Sequence, residues 1–119
     1  MARRQDKNLY FMEQTDGAFN TAYDAYCPAA TQFKSFNSTG TTTTMEMHFD
    51  SSLDDGAGAT GDVVLLTITA NKQKEVMESI TKKLADPYGS ALLVVADGSN
   101  SIFADTNITA CAITLGSPA

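Results

Sequence analysis

Apolar and polar positions along the chain alternate or cluster in ways that mark much of it as strand. The cleanest run is Thr41 to Phe49. Met45, Met47 and Phe49 point one way, and Thr42, Thr44, Glu46 and His48 point the other. One apolar face and one wet face is the pattern of an antiparallel sheet. Val63 to Ala70 starts apolar on both faces, which makes it the candidate for a central strand. Ala91 to Ala96 and the alternating run Ile108 to Leu115 add two more strands, and Leu9 to Met12 and Thr31 to Phe36 allow shorter ones. Asn37-Ser38-Thr39-Gly40 and Asp97-Gly98-Ser99-Asn100 are turn sequences, the second leading into a short return strand over Ser101 to Ala104.

Between the Val63 and Ala91 runs the period changes. Val76, Met77, Ile80 and Leu84 recur at helical spacing, which predicts a helix over 72–85. Asn71 is placed to cap its start, Glu78 and Lys82 to pair on its outer side, and Asp86-Pro87-Tyr88-Gly89 to stop it. Phe19, Tyr23 and Tyr26 also recur at helical spacing, but Gly17, Asn20 and Thr21 are weak helix formers. Asp16 to Tyr26 is therefore a short helix or an irregular loop. The fold class expected is α+β, mainly β, with one helix on a mainly antiparallel sheet of about five strands. Two packings stay open. The helix either crosses over so that the Val63 and Ala91 strands become parallel neighbours, or it caps one end of a sheet curled into a small open barrel.

A chain of 119 residues makes one domain. The expected layout is a flexible basic arm over 1–8, a single domain over 9–115 and a tail over 116–119. The net charge of −6 argues against nucleic acid as a partner, because phosphate binding needs a basic footprint. The arm is the local exception, with Arg3, Arg4 and Lys7, and it is suited to dock on an acidic neighbour, another copy of this chain included. Arg3, Arg4, Lys7, Tyr23 and Tyr26 are the candidates for contact with a subunit or partner. Leu9-Tyr10-Phe11-Met12 is too short for a signal h-region or a membrane span, so neither secretion nor membrane association is expected. The Asn37-Ser38-Thr39 and Asn107-Ile108-Thr109 matches to the glycosylation pattern are then chance. Cys27 and Cys111 lack zinc-site spacing, and Cys111 reads as a buried free thiol.

Candidate chemistry is thin. Gly56-Ala57-Gly58-Ala59-Thr60-Gly61 matches G-x-G-x-x-G, but an acidic loop precedes it and a strand follows it. A dinucleotide site needs the reverse order, with a helix N-terminus meeting the pyrophosphate. Asp50, Asp54, Asp55 and Asp62 are oxygen ligands of the kind calcium takes, yet an EF-hand aligned on Gly56 would require ligation by Leu53. A solvated acidic loop over 50–62 is the plainer reading. His48, the only histidine, lies on the polar side of a strand without a nucleophile elbow. Asp97 and Asp105 flank turns, where aspartate is common. No catalytic residue, metal or cofactor is assigned.

The order of features does resemble a group of small uncharacterised proteins of marine tailed phages and marine metagenomes. The residues that carry the resemblance are Cys27-Pro28-Ala29-Ala30-Thr31-Gln32-Phe33-Lys34, then Met45-Glu46-Met47-His48-Phe49, Val64-Leu65-Leu66-Thr67-Ile68 and Lys74-Glu75-Val76-Met77, and finally Val94-Val95-Ala96-Asp97 and Asn107-Ile108-Thr109-Ala110. The resemblance spans most of the chain and implies an Sm-like small barrel that assembles into rings, with no catalytic residues. The expectation is a non-enzymatic, self-associating structural protein, a virion or assembly component of a marine phage, found in the virion or host cytoplasm alongside other virion proteins. The alternatives are an Sm-like module that binds RNA or peptide, and a small enzyme centred on His48.

Overall fold

β-Branched and aromatic residues fill the segments that become strands, because they pack well on a pleated surface. The computed structural model describes residues 7–13, 25–50, 61–86, 89 and 91–114. In chain order these contain β1 (Asn8–Met12), β2 (Ala25–Tyr26), one 3₁₀ turn (Ala30–Gln32), β3 (Phe33–Ser38), β4 (Thr44–Phe49), β5 (Asp62–Ile68), α1 (Gln73–Ala85), β6 (Leu92–Asp97), β7 (Ile102–Phe103) and β8 (Ile108–Thr114). Among the described residues the protein is mainly β with one α-helix, as the periodicity predicts. Tyr26 lies on β2, where it pairs with Phe11 of β1; of the segment Asp16 to Tyr26, read as a short helix or an irregular loop, all but Ala25 and Tyr26 lies outside the described residues.

The strands divide into two sheets, where one curled sheet was expected. Sheet A has the order β2-β1-β6-β7 and sheet B the order β3-β4-β5-β8. Sheet B is antiparallel throughout, with β5 in its interior. Sheet A contains one parallel pair, β1 with β6. The helix crossover therefore does not make β5 and β6 neighbours. It carries the chain out of sheet B and into sheet A, where β6 finds β1 as its parallel partner.

The core lies between the inner faces of the sheets and the apolar stripe of α1. Met45, Met47 and Phe49 of β4 and Val64, Leu66 and Ile68 of β5 are buried from one side, and Leu9 and Phe11 of β1 from the other. Val76, Ile80 and Leu84 add the stripe of the helix. Side chains of this size each stabilise the fold by about 1.5–3 kcal/mol when fully buried. Gly61 is required by close approach, because a Cβ there would sit 2.5 Å from the Phe49 carbonyl oxygen.

Polar contacts tie α1 down at three points. At its start the Gln73 amide donates to the Thr42 carbonyl at 3.0 Å, gripping the β3–β4 turn. Asn71 does not cap the helix. It takes a left-handed conformation (φ 65°), which asparagine tolerates, and Lys72 occupies the cap position. Midway, the Ser79 hydroxyl donates to Asp105 Oδ2 at 2.5 Å. At the end, the Lys7 ammonium donates to the carbonyls of Lys83 (2.6 Å) and Asp86 (2.8 Å). The last carbonyls of a helix have no partner within it and carry the negative end of its dipole, so a cation is favoured there. Lys7 is only 2% exposed. A Cβ on Gly89 would come within 2.9 Å of its Nζ, so Gly89 packs against the ammonium. The loose arm expected over 1–8 is corrected at its inner end: Lys7 is a buried helix clamp and Asn8 opens β1. Arg3 and Arg4 lie outside the described residues. On the outer side of α1 the ion pair is Lys72 with Glu75 at 3.5 Å, in place of the expected Glu78–Lys82 pair.

Two outcomes are expected. Lys7→Met leaves both carbonyls without their charged donor and should lower the unfolding free energy by about 1.5–3 kcal/mol in urea titration. Asp105 is held below the usual carboxylate range, chiefly by the Ser79 hydroxyl and then by the Asn107 amides, against an opposing push from partial burial. Its stabilising effect is complete above the unfolded value of about 3.9 and is lost as pH falls through the lower folded value. Ser79→Ala should therefore move the acid-unfolding midpoint, followed by circular dichroism, to higher pH.

Candidate functional site: the outer face of sheet B

Alternation along a strand sends every second side chain to the opposite face. Since β4 and β5 bury Met45, Met47, Val64 and Leu66, their remaining positions form the outer face of sheet B. Pairing sets that face out in rows, because residues directly opposite share a side. Ser35, His48, Val63 and Thr114 make one row. Asn37, Glu46, Leu65 and Ala112 make the next, and Thr44, Thr67 and Ala110 a third. Val63 and Leu65 are half-buried at the centre, between a polar flank on β3 and β4 and a small-residue flank on β8.

His48 sits in this face with Nε2 2.9 Å from Glu46 Oε1, and the two side chains are 31% and 33% exposed. The pair is two residues apart on one strand, on an open sheet surface. A general base needs to be fixed beside a reacting group in space, and among the described residues the hydrogen-bond partner of the imidazole is the carboxylate two residues away on its own strand.

The other candidate residues are spread elsewhere. Tyr26 is half-buried, and its hydroxyl donates to Asp62 Oδ2 at 2.7 Å. Its ring meets Phe49 edge-on at 5.7 Å and stacks on Phe11 at 6.2 Å. Burial, then the bond to Asp62 and the charge of that carboxylate, push the phenol far up, so it remains a donor throughout the ordinary pH range. Tyr26 thus joins the two sheets internally, and sequence spacing gave no sign of this. Tyr23, like Arg3 and Arg4, lies outside the described residues, as does most of the acidic loop, Ser51 to Thr60. At the ends of that loop, Asp50 faces Lys34 at 3.8 Å on the surface and Asp62 is fully buried. Among the described residues no three His, Cys, Asp or Glu side chains converge as a metal site would require.

Asp97 and Asp105 each fold back on their own turn. Asp97 Oδ1 accepts from the Ser99 and Asn100 amides, and Asp105 Oδ1 from the Asn107 amide at 2.8 Å. Cys27 and Cys111 are both free thiols. Burial first, and the Glu13 carboxylate second, push the Cys111 thiol up to about 12, so it behaves as the small apolar residue that its run predicts.

Comparison with protein-family models, with curated proteins and with solved structures finds no significant match to this chain. The function must be argued from the geometry. Because Tyr26 acts inside the fold, Tyr26→Phe should lower stability by about 1–3 kcal/mol in denaturant and leave the oligomeric state unchanged in sedimentation.

Proposed function

We propose that this chain is a non-enzymatic structural protein that associates with further copies of itself. The observation that carries the proposal is β5. From Val63 to Leu66 it is apolar on both faces, and it is interior to its sheet, which is the composition of a strand buried on both sides. Within the described residues its inner face is buried, while Val63 and Leu65 on its outer face remain partly accessible.

The sheet edges direct the association to a face. An open edge invites strand addition, and proteins blunt edges with short strands, bulges and charge. In sheet A the edge strands β2 and β7 have two residues each. In sheet B, β3 is interrupted by a register shift between Phe33 and Ser35, where exposed Lys34 sits. On β8, the Ile113 amide is taken by the Glu13 carboxylate. Strand addition is thus discouraged at every edge among the described residues, which favours association through a sheet face, and the outer face of sheet B is the one with an apolar centre on an interior strand.

The resemblance to marine phage proteins supplies the setting: a virion or assembly component, in the virion or host cytoplasm, with other virion proteins as further partners. An Sm-like small barrel is the finer part of this proposal. What supports it is the corner where β8 runs close to β1 and β6 and the Cys111 thiol donates to the Met12 carbonyl at 3.5 Å. The division into two sheets with a parallel pair weighs against it. Native mass spectrometry and sedimentation over a concentration series should show multimers that grow with concentration. A strict monomer at the highest soluble concentration would overturn the proposal.

A further inference from the structure

We infer that the surface a second copy occupies is the outer face of sheet B, met by the same face of the partner across a two-fold axis, with Glu46 against the partner's His48. The inference rests on the self-association proposed above and adds the surface, the symmetry and the polar pairing.

Charge selects the occupant. The chain has 14 carboxylates and a net charge of −6, so most ways of bringing two copies together set acid against acid. The three rows contain one carboxylate, Glu46, and one imidazole, His48, and the rest are apolar, small or hydroxyl- and amide-bearing residues; exposed Asp50, two residues beyond His48, lies 3.8 Å from Lys34. Depletion of charge around an apolar centre is the mark of an interface core. Small side chains on the β8 flank let a second sheet approach to the ordinary packing distance of about 10 Å.

Geometry selects the symmetry. A two-fold contact must be self-complementary, so that residue i meets j and j meets i. Glu46 and His48 lie side by side with Leu65 and Val63 on β5, because Glu46 pairs with Leu65 and His48 with Val63. A two-fold axis in the plane of the face, crossing β4 at Met47 and β5 at Val64, exchanges these rows. It sets Glu46 on the partner's His48, and Leu65 on the partner's Val63, in one operation. A hydrogen-bonding pair and an apolar pair are then matched together. The two exchanged rows, across four strands, measure roughly 19 by 14 Å, about 260 Å² per copy. Standard interfaces bury about 800 Å² per partner, so the dimer is weak and concentration-dependent. In an assembly of many copies, such contacts gain strength through multivalency.

The test is a charge exchange, read by sedimentation equilibrium. His48→Glu places carboxylates against carboxylates, and Glu46→Lys places a lysine against an imidazole. Each should weaken dimerisation about tenfold or more. An equimolar mixture of the two variants should restore wild-type affinity as a heterodimer, since the introduced lysine then meets the introduced carboxylate. Both side chains are partly exposed, and thermal melts by circular dichroism confirm folding of each variant. Ala112→Arg, at an exposed position of the same face, is the independent probe and should also abolish the dimer. Wild-type-like dimerisation of all three variants overturns this inference and leaves self-association standing. A monomeric wild-type protein overturns both.

Discussion

The contact on which everything else depends is the apolar one between the inner faces of the two sheets. Phe11 of β1, Tyr26 of β2 and Phe49 of β4 meet there at ring separations of 5.7–6.2 Å. Edge-to-face and offset geometries at such distances add about 0.5–1.5 kcal/mol per pair beyond the area they bury. The Tyr26–Asp62 bond crosses the same junction and lets a fully buried carboxylate begin β5. A buried charge is costly unless it is hydrogen-bonded, so the aromatic contact and the polar one depend on each other.

Once that face is committed, the outer face follows from a period of two. Burying Met45, Met47, Val64 and Leu66 forces Glu46, His48, Val63 and Leu65 outward, because a shift of one residue would reverse every side chain. The surface that carries the functional proposal is therefore a consequence of how the core is packed. The register across four strands turns a strand-level alternation into ordered rows, and the rows place the only histidine beside a carboxylate and an apolar pair. Blunted edges and an open face go together among the described residues: strand addition is discouraged, and stacking of faces is permitted.

The helix shows the same economy. Its apolar stripe completes the core, and its ends are met by groups from distant parts of the chain. Gln73 holds the β3–β4 turn, Asp105 holds Ser79, and the Lys7 ammonium takes carbonyls at the C-terminal end. Burying an ammonium is tolerable because two carbonyls receive it where the helix dipole already favours a positive charge. The same bonds fix the start of β1 beside the end of α1, which helps to place β6 where β1 can pair with it in parallel.

What the chain alone determined was local. The alternation of Met45, Met47 and Phe49, the helical spacing of Val76, Ile80 and Leu84, and the turn before Ile102 and Phe103 each act within a few residues, and each element formed close to where its pattern lies. The apolar character of both faces of β5 was also legible, and it is what the candidate site is built on. Tertiary structure decided the rest, because the partners are remote. Lys7 reaches carbonyls 76 and 79 residues away, so nothing in the basic run Arg3, Arg4 and Lys7 distinguishes a clamp from a solvated arm. Tyr26 joins a strand because Phe11 offers it a ladder and Asp62 an acceptor. The division of eight strands into two sheets, and the parallel pairing of β1 with β6, depend on which surfaces can be buried together, a choice that period and composition do not encode.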